Sequence, residues 1–441
     1  MSTTQLTRSM TSTGNRKTAT FSSWVKKCNP TKDTQTQISF GGTHNIYLHN
    51  AGFRWNDGTG NYLYSNAKQR DTSGWYHLVV AIDTTQSTDT DRVKLYINGE
   101  ELTLSATTYP TLNEDLLMNV SGTDIFIGND DSGTGYFDGA MSHVYWIDGT
   151  AYAPTVFGST DATSGEWVIN TSPSVTYGTN GFLIMKDGNT ITDQGSNSND
   201  FTLGAGTLTD LQDCPDDVFA TLNPLDNYYA GSTFSNGNTS QTSHAGAYAW
   251  VPSTLGMTKG KFYAECKQTG YSGGSNYDLI GIAGSQNDAD THHLGQIAYT
   301  AGYYGQGGVY NQSGSTTSTY ASYTTNDIIG VAVDLDNNKL YFSKNGVWQN
   351  SGDPTSGATG TGALSITAPS AMTGTTSTGV YRFASGDYGN TVVVNNSWNF
   401  GNGYFGTTAI SSEGTNASGI GKFEYDVPTG YTALSLKGLQ E

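Results

Sequence analysis

The segment from 78 to 102, LVVAIDTTQSTDTDRVKLYINGEEL, alternates apolar and polar positions on either side of a polar turn. In its second half Val93, Leu95 and Ile97 fall on one side of an extended chain and Lys94, Tyr96 and Asn98 on the other, because successive side chains of a strand point to opposite faces. The same phrase returns from 328 to 350 as IIGVAVDLDNNKLYFSKNGVWQN. There Ile329, Val331 and Val333 share one face, and Leu340 and Phe342 share another. Each copy closes an apolar strand on aspartate (Asp83, Asp334), crosses a polar turn, and ends in Lys-Leu-Tyr and Asn-Gly. Asn-Gly supplies the two positive φ angles of a tight hairpin. The pattern predicts a strand, a turn and an antiparallel partner in each half of the chain, hence two sandwiches with one central hairpin each.

Composition sharpens that picture. A chain of 441 residues exceeds one ordinary core. Of its 38 acidic residues thirty are Asp and eight Glu, and there are 56 glycines. Helix formers are scarce and turn formers abundant, which predicts an all-β protein of many short strands. The three cysteines, Cys28, Cys214 and Cys266, lack Cys-x-x-Cys spacing and are expected to be buried small apolar residues rather than a zinc site or disulfide framework.

Several phrases in order carry a family resemblance. SGWYHLVVAID (73 to 83), RVKLYINGEEL, and DIFIGNDDSGTGYFDGAMSHVYWIDGTAYAP (124 to 154) resemble the concanavalin A-like, laminin-G-type jelly roll. GKFYAECKQTG (260 to 270), DLIGIAG (278 to 284), the second hairpin, and the closing WNFGNGYF and FEYDVPTGYTALSL resemble a SPRY domain, with an insertion from Gly406 to Gly421 inside the closing phrase. The resemblance implies two concanavalin A-like antiparallel sandwiches in tandem: residues 1–205, an ordered joint at 206–235, and 236–441 with a C-terminal sealing segment. Within the joint, DDVFATLNPLD echoes the terminal PTGYTALSLKGLQE. This order of domains resembles virion proteins of tailed bacteriophages, especially cyanophages. It implies a structural protein of the particle surface, of tail-fibre or receptor-binding type, contacting host glycan, or alternatively a decoration protein on capsid or tail. Expected partners are other virion proteins and further copies of the chain, with host cell-surface glycan as ligand.

Charge and termini narrow the classes. A net charge of −18 with only 20 Lys and Arg gives no phosphate-binding surface, so no nucleic-acid partner is expected. The start MSTTQLTRSM has no signal-peptide core, and no apolar run approaches the ~20 residues of a membrane span. Synthesis in a host cytoplasm without a signal peptide is the expectation, and neither heptads nor collagen-like repeats announce a fibre shaft.

Catalysis finds little support. Glycoside hydrolases need two carboxylates about 5 to 10 Å apart, and the Glu-x-Asp-x-x-Glu form of the lectin-like hydrolases is absent. Glu100 and Glu101 would face opposite ways on a strand. GYSGG (270 to 274) fits the nucleophile-elbow pattern, but the elbow needs a helix after Ser272 and SNYDLIGIAG reads as a strand. His77 and His143 read as core strand residues. No enzyme and no cofactor is expected, with one option for calcium at Asp130 and Asp131 in GNDDSGTG, whose oxygens suit a hard cation; an Asp-rich self-capping turn is the rival reading. Sugar binding by aromatic stacking with amide and carboxylate partners points to two stretches. RWNDGTGNYLY offers Trp55, Asn56, Asp57 and Tyr62; YTAGYYGQGGVYNQSG offers Tyr303, Tyr304, Tyr310 and Asn311.

Overall fold

The computed structural model describes residues 3–441 apart from 189, 247, 249, 313, 314, 317–319 and 390, with the backbone alone at 315 and 316. The chain forms two compact units: 1–210 with 214–216, and 211–213 with 217–441. Both are built almost wholly of antiparallel strands.

In the first unit an eight-stranded sheet runs, edge to edge, Leu104–Thr108, Tyr62–Ser65, Gly52–Asn56, His44–His49, Thr34–Phe40, Asp124–Ile127, Gln5–Ser9, Thr202–Ala205. A six-stranded sheet faces it: Phe182–Ile184, Gly139–Asp148, Thr18–Lys27, Tyr76–Asp83, Val93–Ile97, Glu100–Glu101. Alternation sends Phe53, Trp55, Leu63, Ile46 and Leu48 of one sheet against Phe21, Leu78, Val80, Val93 and Leu95 of the other. The strand Thr18–Lys27 is buried along almost its whole length. Its outward side is covered too, because Trp167 lies over the sheet and donates its indole N–H to Nδ1 of His77 at 3.0 Å.

The second unit repeats the plan. The larger sheet holds Val394–Asn399, Lys261–Tyr271, Ile328–Asp334 and Lys339–Lys344 at its centre; the smaller runs Trp250–Pro252, Ser377–Asp387, Asp278–Ser285, Thr300–Tyr304, Val309–Asn311, Ser315–Thr316. Ile329, Val331, Val333, Leu340 and Phe342 share one core with Ile280, Ile282, Phe383 and Trp398. The two phrases that echo each other, around 218–222 and 431–436, pair directly: Ala220 N donates to Leu434 O and Leu436 N to Val218 O. Glu265 pins the segment before them, accepting from the N–H groups of Glu424 and Tyr425 at 2.8 Å each. Cys28 and Cys266 are buried as expected, whereas Cys214 is half-buried.

The two hairpins are the same object. Asn98 and Gly99 have φ of 49° and 83°, Asn345 and Gly346 of 47° and 78°. In each, the turn asparagine extends pairing to the strand before: Asn98 N donates to His77 O at 2.9 Å while its Oδ1 accepts His77 N at 2.8 Å. Asn345 does the same with Ile328, at 2.8 Å both ways. One side chain thus fixes the turn and the register of three strands.

The largest shifts of buried histidines and carboxyls differ by unit, although burial also raises Asp148 in the first and lowers His293 in the second. In the first, burial holds His44 and His143 down to about 4 and His77 to about 3, so all three stay neutral in the fold. In the second, burial pushes Glu265, Asp278 and Asp387 up to about 7. Asp278 and Asp387 lie directly opposite each other on adjacent strands, so each charge also opposes the other.

Two outcomes follow for stability. Asn345→Ala is expected to cost about 1–2 kcal/mol in denaturant unfolding, combining left-handed strain with the lost hydrogen bond, and Asn345→Gly less because the φ is kept. The second concerns pH. Histidines held below their unfolded value lose stability for the first unit as pH falls below 6.5, since the unfolded chain then takes up protons. Carboxyls raised to about 7 contribute stability that is fully present below their unfolded values near 4 and lost as pH rises through 7. Calorimetry of the full chain at pH 7.5 and 5.5, with Leu78→Ala marking the first unit's transition, is expected to show that transition falling and the second unit's rising on acidification. Movement of both in one direction would contradict the assignment.

Candidate functional site

Alternation also decides which of the sequence candidates reach solvent. Trp55 is 0% exposed, its indole N–H donated to Nε2 of His44 at 3.0 Å, so it is a core residue and offers no ring to a sugar. Asp57 is equally buried, its carboxylate accepting from Thr59 and Asn61 within its own turn. Asn56 and Tyr62 point the other way and are directly paired across adjacent strands on the outer face of the eight-stranded sheet. Consecutive strand residues cannot share a face, which is why the stretch splits.

The second stretch splits in the same manner. Tyr303 is 0% exposed, packed against Tyr320, Tyr323 and Phe342, with its hydroxyl donated to Ala321 O. Tyr304 turns outward and meets Tyr310 with ring centroids 5.5 Å apart. Asn311, next to Tyr310 and so on the opposite face, donates to Ser365 O at 3.3 Å.

Around Tyr304 and Tyr310 the fold gathers residues that sequence inspection missed. Tyr388 follows the strand Ser377–Asp387, Tyr277 precedes Asp278–Ser285, and Tyr248 precedes Trp250–Pro252; these strands are successive neighbours in the smaller sheet, and their ends fall together. Tyr388 is the hub, stacked on Tyr310 at 5.2 Å and 14°, and meeting Tyr304 at 5.4 Å, Tyr248 at 6.0 Å, Tyr277 at 6.2 Å and His293 at 4.6 Å. Tyr277 stacks on Tyr304 at 6.3 Å and 6°. All five tyrosines are half-buried, while Trp250, Leu279, Leu294 and Ala384 beneath them are fully buried. Gly295, at φ 92°, lets its loop pass within van der Waals reach of Tyr310, where a Cβ would sit 2.4 Å from that residue's own Cβ. Burial pushes the Tyr310 phenol up to about 12 and that of Tyr304 further, so the surface is neutral, apolar on its ring faces and polar at its hydroxyls. Such a layer can stack on the apolar face of a sugar ring while its hydroxyls reach the sugar's own. The signal was present in the sequence only as Tyr277, Tyr304 and Tyr388 each flanking a strand end; bringing them together takes the strand order.

The groups that could carry chemistry are otherwise engaged. His77 accepts at Nδ1 from Trp167, so its Nε2 carries the proton and donates to Ser22 Oγ at 2.9 Å, buried between Trp24 and Trp167. Ser272 Oγ accepts from Val393 N, and the strand before it is followed by another strand. Asp278 and Asp387 are a carboxylate pair that sequence inspection did not find, since 109 positions separate them. They are sealed in the sandwich, Asp278 receiving Asn396 Nδ2 at 2.7 Å and Gln268 Nε2 at 3.1 Å, out of reach of any glycan. Asp130 accepts from both the N–H and hydroxyl of Ser132, and Asp131 is exposed at φ 70°. Among the described residues no group of three or more His, Cys, Asp or Glu is placed to hold a metal ion. The Asp130–Asp131 stretch is a self-capping turn, Asp130 holding Ser132 as the rival reading expects.

Comparison with known proteins follows the same division. Residues 2–157 match the concanavalin A-like lectin/glucanases superfamily, and residues 267–372 match the SPRY domain. No curated protein matches the chain. Among solved structures, the SPRY domain of human HERC1 is similar at 16% identity and a TM-score of 0.31, over 40% of this chain and 96% of that one. The heptameric SAP-like pentraxin of Limulus polyphemus is similar at 14% identity and 0.28, over 38% and 86%. Two β-sandwich domains, the first concanavalin A-like and the second of the SPRY type, follow one another along the chain.

Proposed function

We propose that this protein is a non-enzymatic binding protein that contacts glycan through the tyrosine surface of its SPRY-type domain. The observation that carries this is the gathering of Tyr248, Tyr277, Tyr304, Tyr310 and Tyr388 at one end of one sheet, each half-exposed over a sealed apolar floor. Aromatic rings that cover a small apolar cluster and stay half in water offer apolar surface for a ligand to cover. The concanavalin A-like match of the first domain supports a binding role of the same kind. The setting we propose is the surface of a tailed-phage particle, in a receptor-binding or fibre-type role, resting on the resemblance of the domain order to virion proteins.

A second reading has an observation of its own. Leu225 and Tyr228 are 59% and 90% exposed in one loop, with Tyr229 against Tyr228 at 5.0 Å. An apolar loop tip of this kind suits contact with protein, as a decoration protein held by other virion proteins would need.

A glycan array probed with the full chain tests the proposal. Retention of particular oligosaccharides is expected, and Tyr388→Ala is expected to weaken it by about 1 kcal/mol or more, roughly fivefold in Kd. Incubation with the retained glycans is expected to release no shorter product. Absence of any retained glycan, indifference to Tyr388→Ala, or turnover would contradict it.

A further inference from the structure

The outer face of the eight-stranded sheet carries a second arrangement that the tyrosine surface does not explain. Register pairs Tyr47 with Arg54 and Arg54 with Tyr64, and in the next row Asn45 with Asn56 and Asn56 with Tyr62. Directly opposite residues in antiparallel strands have Cβ atoms about 5 Å apart, so these six side chains form one continuous patch. The Arg54 guanidinium carbon sits 4.4 Å from the Tyr64 ring centroid, and the Tyr62 and Tyr64 rings are 4.9 Å apart. The rows continue into Ala106 and Thr108, which are too small to cover the rings.

Arg54 carries its charge on this face with an aromatic ring as its neighbour. Other half-buried cations of the chain meet carboxylates, as Lys94 does Asp91, Lys261 Asp334, Lys344 Asp327 and Arg382 Asp226, or backbone carbonyls, as Arg16 and Arg92 do. Among the described residues Arg54 has neither ion pair nor hydrogen-bond acceptor, and its Nε is buried without a partner. That Nε is covered, so an acceptor from outside would meet the terminal N–H groups of the guanidinium. Next to it, His49 is held low by burial first and then by the charge of Arg54, with Asp33 opposing and Lys27 adding a smaller push. In a chain with 38 acidic and 20 basic residues, a cation that makes no ion pair among the described residues is placed for an anion from outside.

We propose that this face is a separate site for a carboxylated glycan, whose sugar ring stacks on Tyr62, whose carboxylate takes the N–H groups of Arg54, and whose hydroxyls meet Asn45 and Asn56. The guanidinium fork matches a carboxylate in two parallel hydrogen bonds, which a neutral sugar cannot offer. The inference rests on the glycan-binding reading and extends it to the first domain with a ligand class of its own.

Calorimetric titration of the full chain tests it, with oligogalacturonate, oligomannuronate, hyaluronan oligomers and sialyllactose as probes, and the methyl ester of each bound acid as the neutral control. At least one acid is expected to bind, its ester about tenfold or more weaker, and the acid to weaken further as salt is added. Arg54→Gln is expected to bring the acid down to the level of the ester, and Arg54→Lys to recover part of the loss. Failure of every acid to bind, equal binding of acid and ester, or a Tm-matched Arg54→Gln that binds as wild type would overturn the proposal. If neutral glycans are still held through Tyr388 in that case, only this site falls; if no glycan of either kind binds, the reading beneath it falls too.

Discussion

Every strand in this protein must choose, residue by residue, between an inner and an outer face, and that period of two is the constraint on which the rest depends. Once Phe53, Trp55 and Leu63 go inward to fill the first sandwich, Arg54, Asn56, Tyr62 and Tyr64 have no choice but to go outward. Once Tyr303 joins the second core, Tyr304 must leave it. The surfaces that can bind are the complement of the core. A one-residue slip of register would exchange them wholesale, burying the arginine and exposing the tryptophan.

Register therefore needs a lock, and both sandwiches use the same one. Asn98 and Asn345 accept a left-handed φ that few residues tolerate, and each spends its side-chain oxygen on the N–H of the strand beyond its own hairpin. The recurrence of Lys-Leu-Tyr and Asn-Gly in two halves of the chain is the mark of two cores solving one problem with one device. The cores differ in what else they bury. The first seals neutral His77 between two indoles, and the second seals Asp278 among amides, which favours opposed responses to acid.

Much of this was legible in the sequence because it is local. Alternation, Asn-Gly turns and a Glu-poor composition announce two all-β domains, and the hairpin faces fall where the pattern puts them. The sites were half legible. Trp55 beside Asn56, and Tyr303 beside Tyr304, could act together only in a loop; as strands, the neighbours diverge. The partners that do converge lie far apart in sequence: Tyr388 meets Tyr304 across 84 positions and Asp387 faces Asp278 across 109. Such pairs depend on strand order, which no local pattern encodes. Arg54 and Tyr64 were within the stretch already singled out, and only the register shows them stacked.

Two unlike aromatic faces, one of neutral tyrosines and one bearing a cation, are thus a consequence of how two sandwiches sort the same kind of alternating sequence. Hydroxyl-radical footprinting of the native chain, read residue by residue by mass spectrometry, tests that sorting most directly. Oxidation is predicted at Tyr62, Tyr64, Tyr304, Tyr310 and Tyr388, with Trp55 and Tyr303 protected until the protein unfolds. Labelling of Trp55 or Tyr303 in the native state as fast as their outward neighbours would contradict the assignment of faces, and with it both binding surfaces.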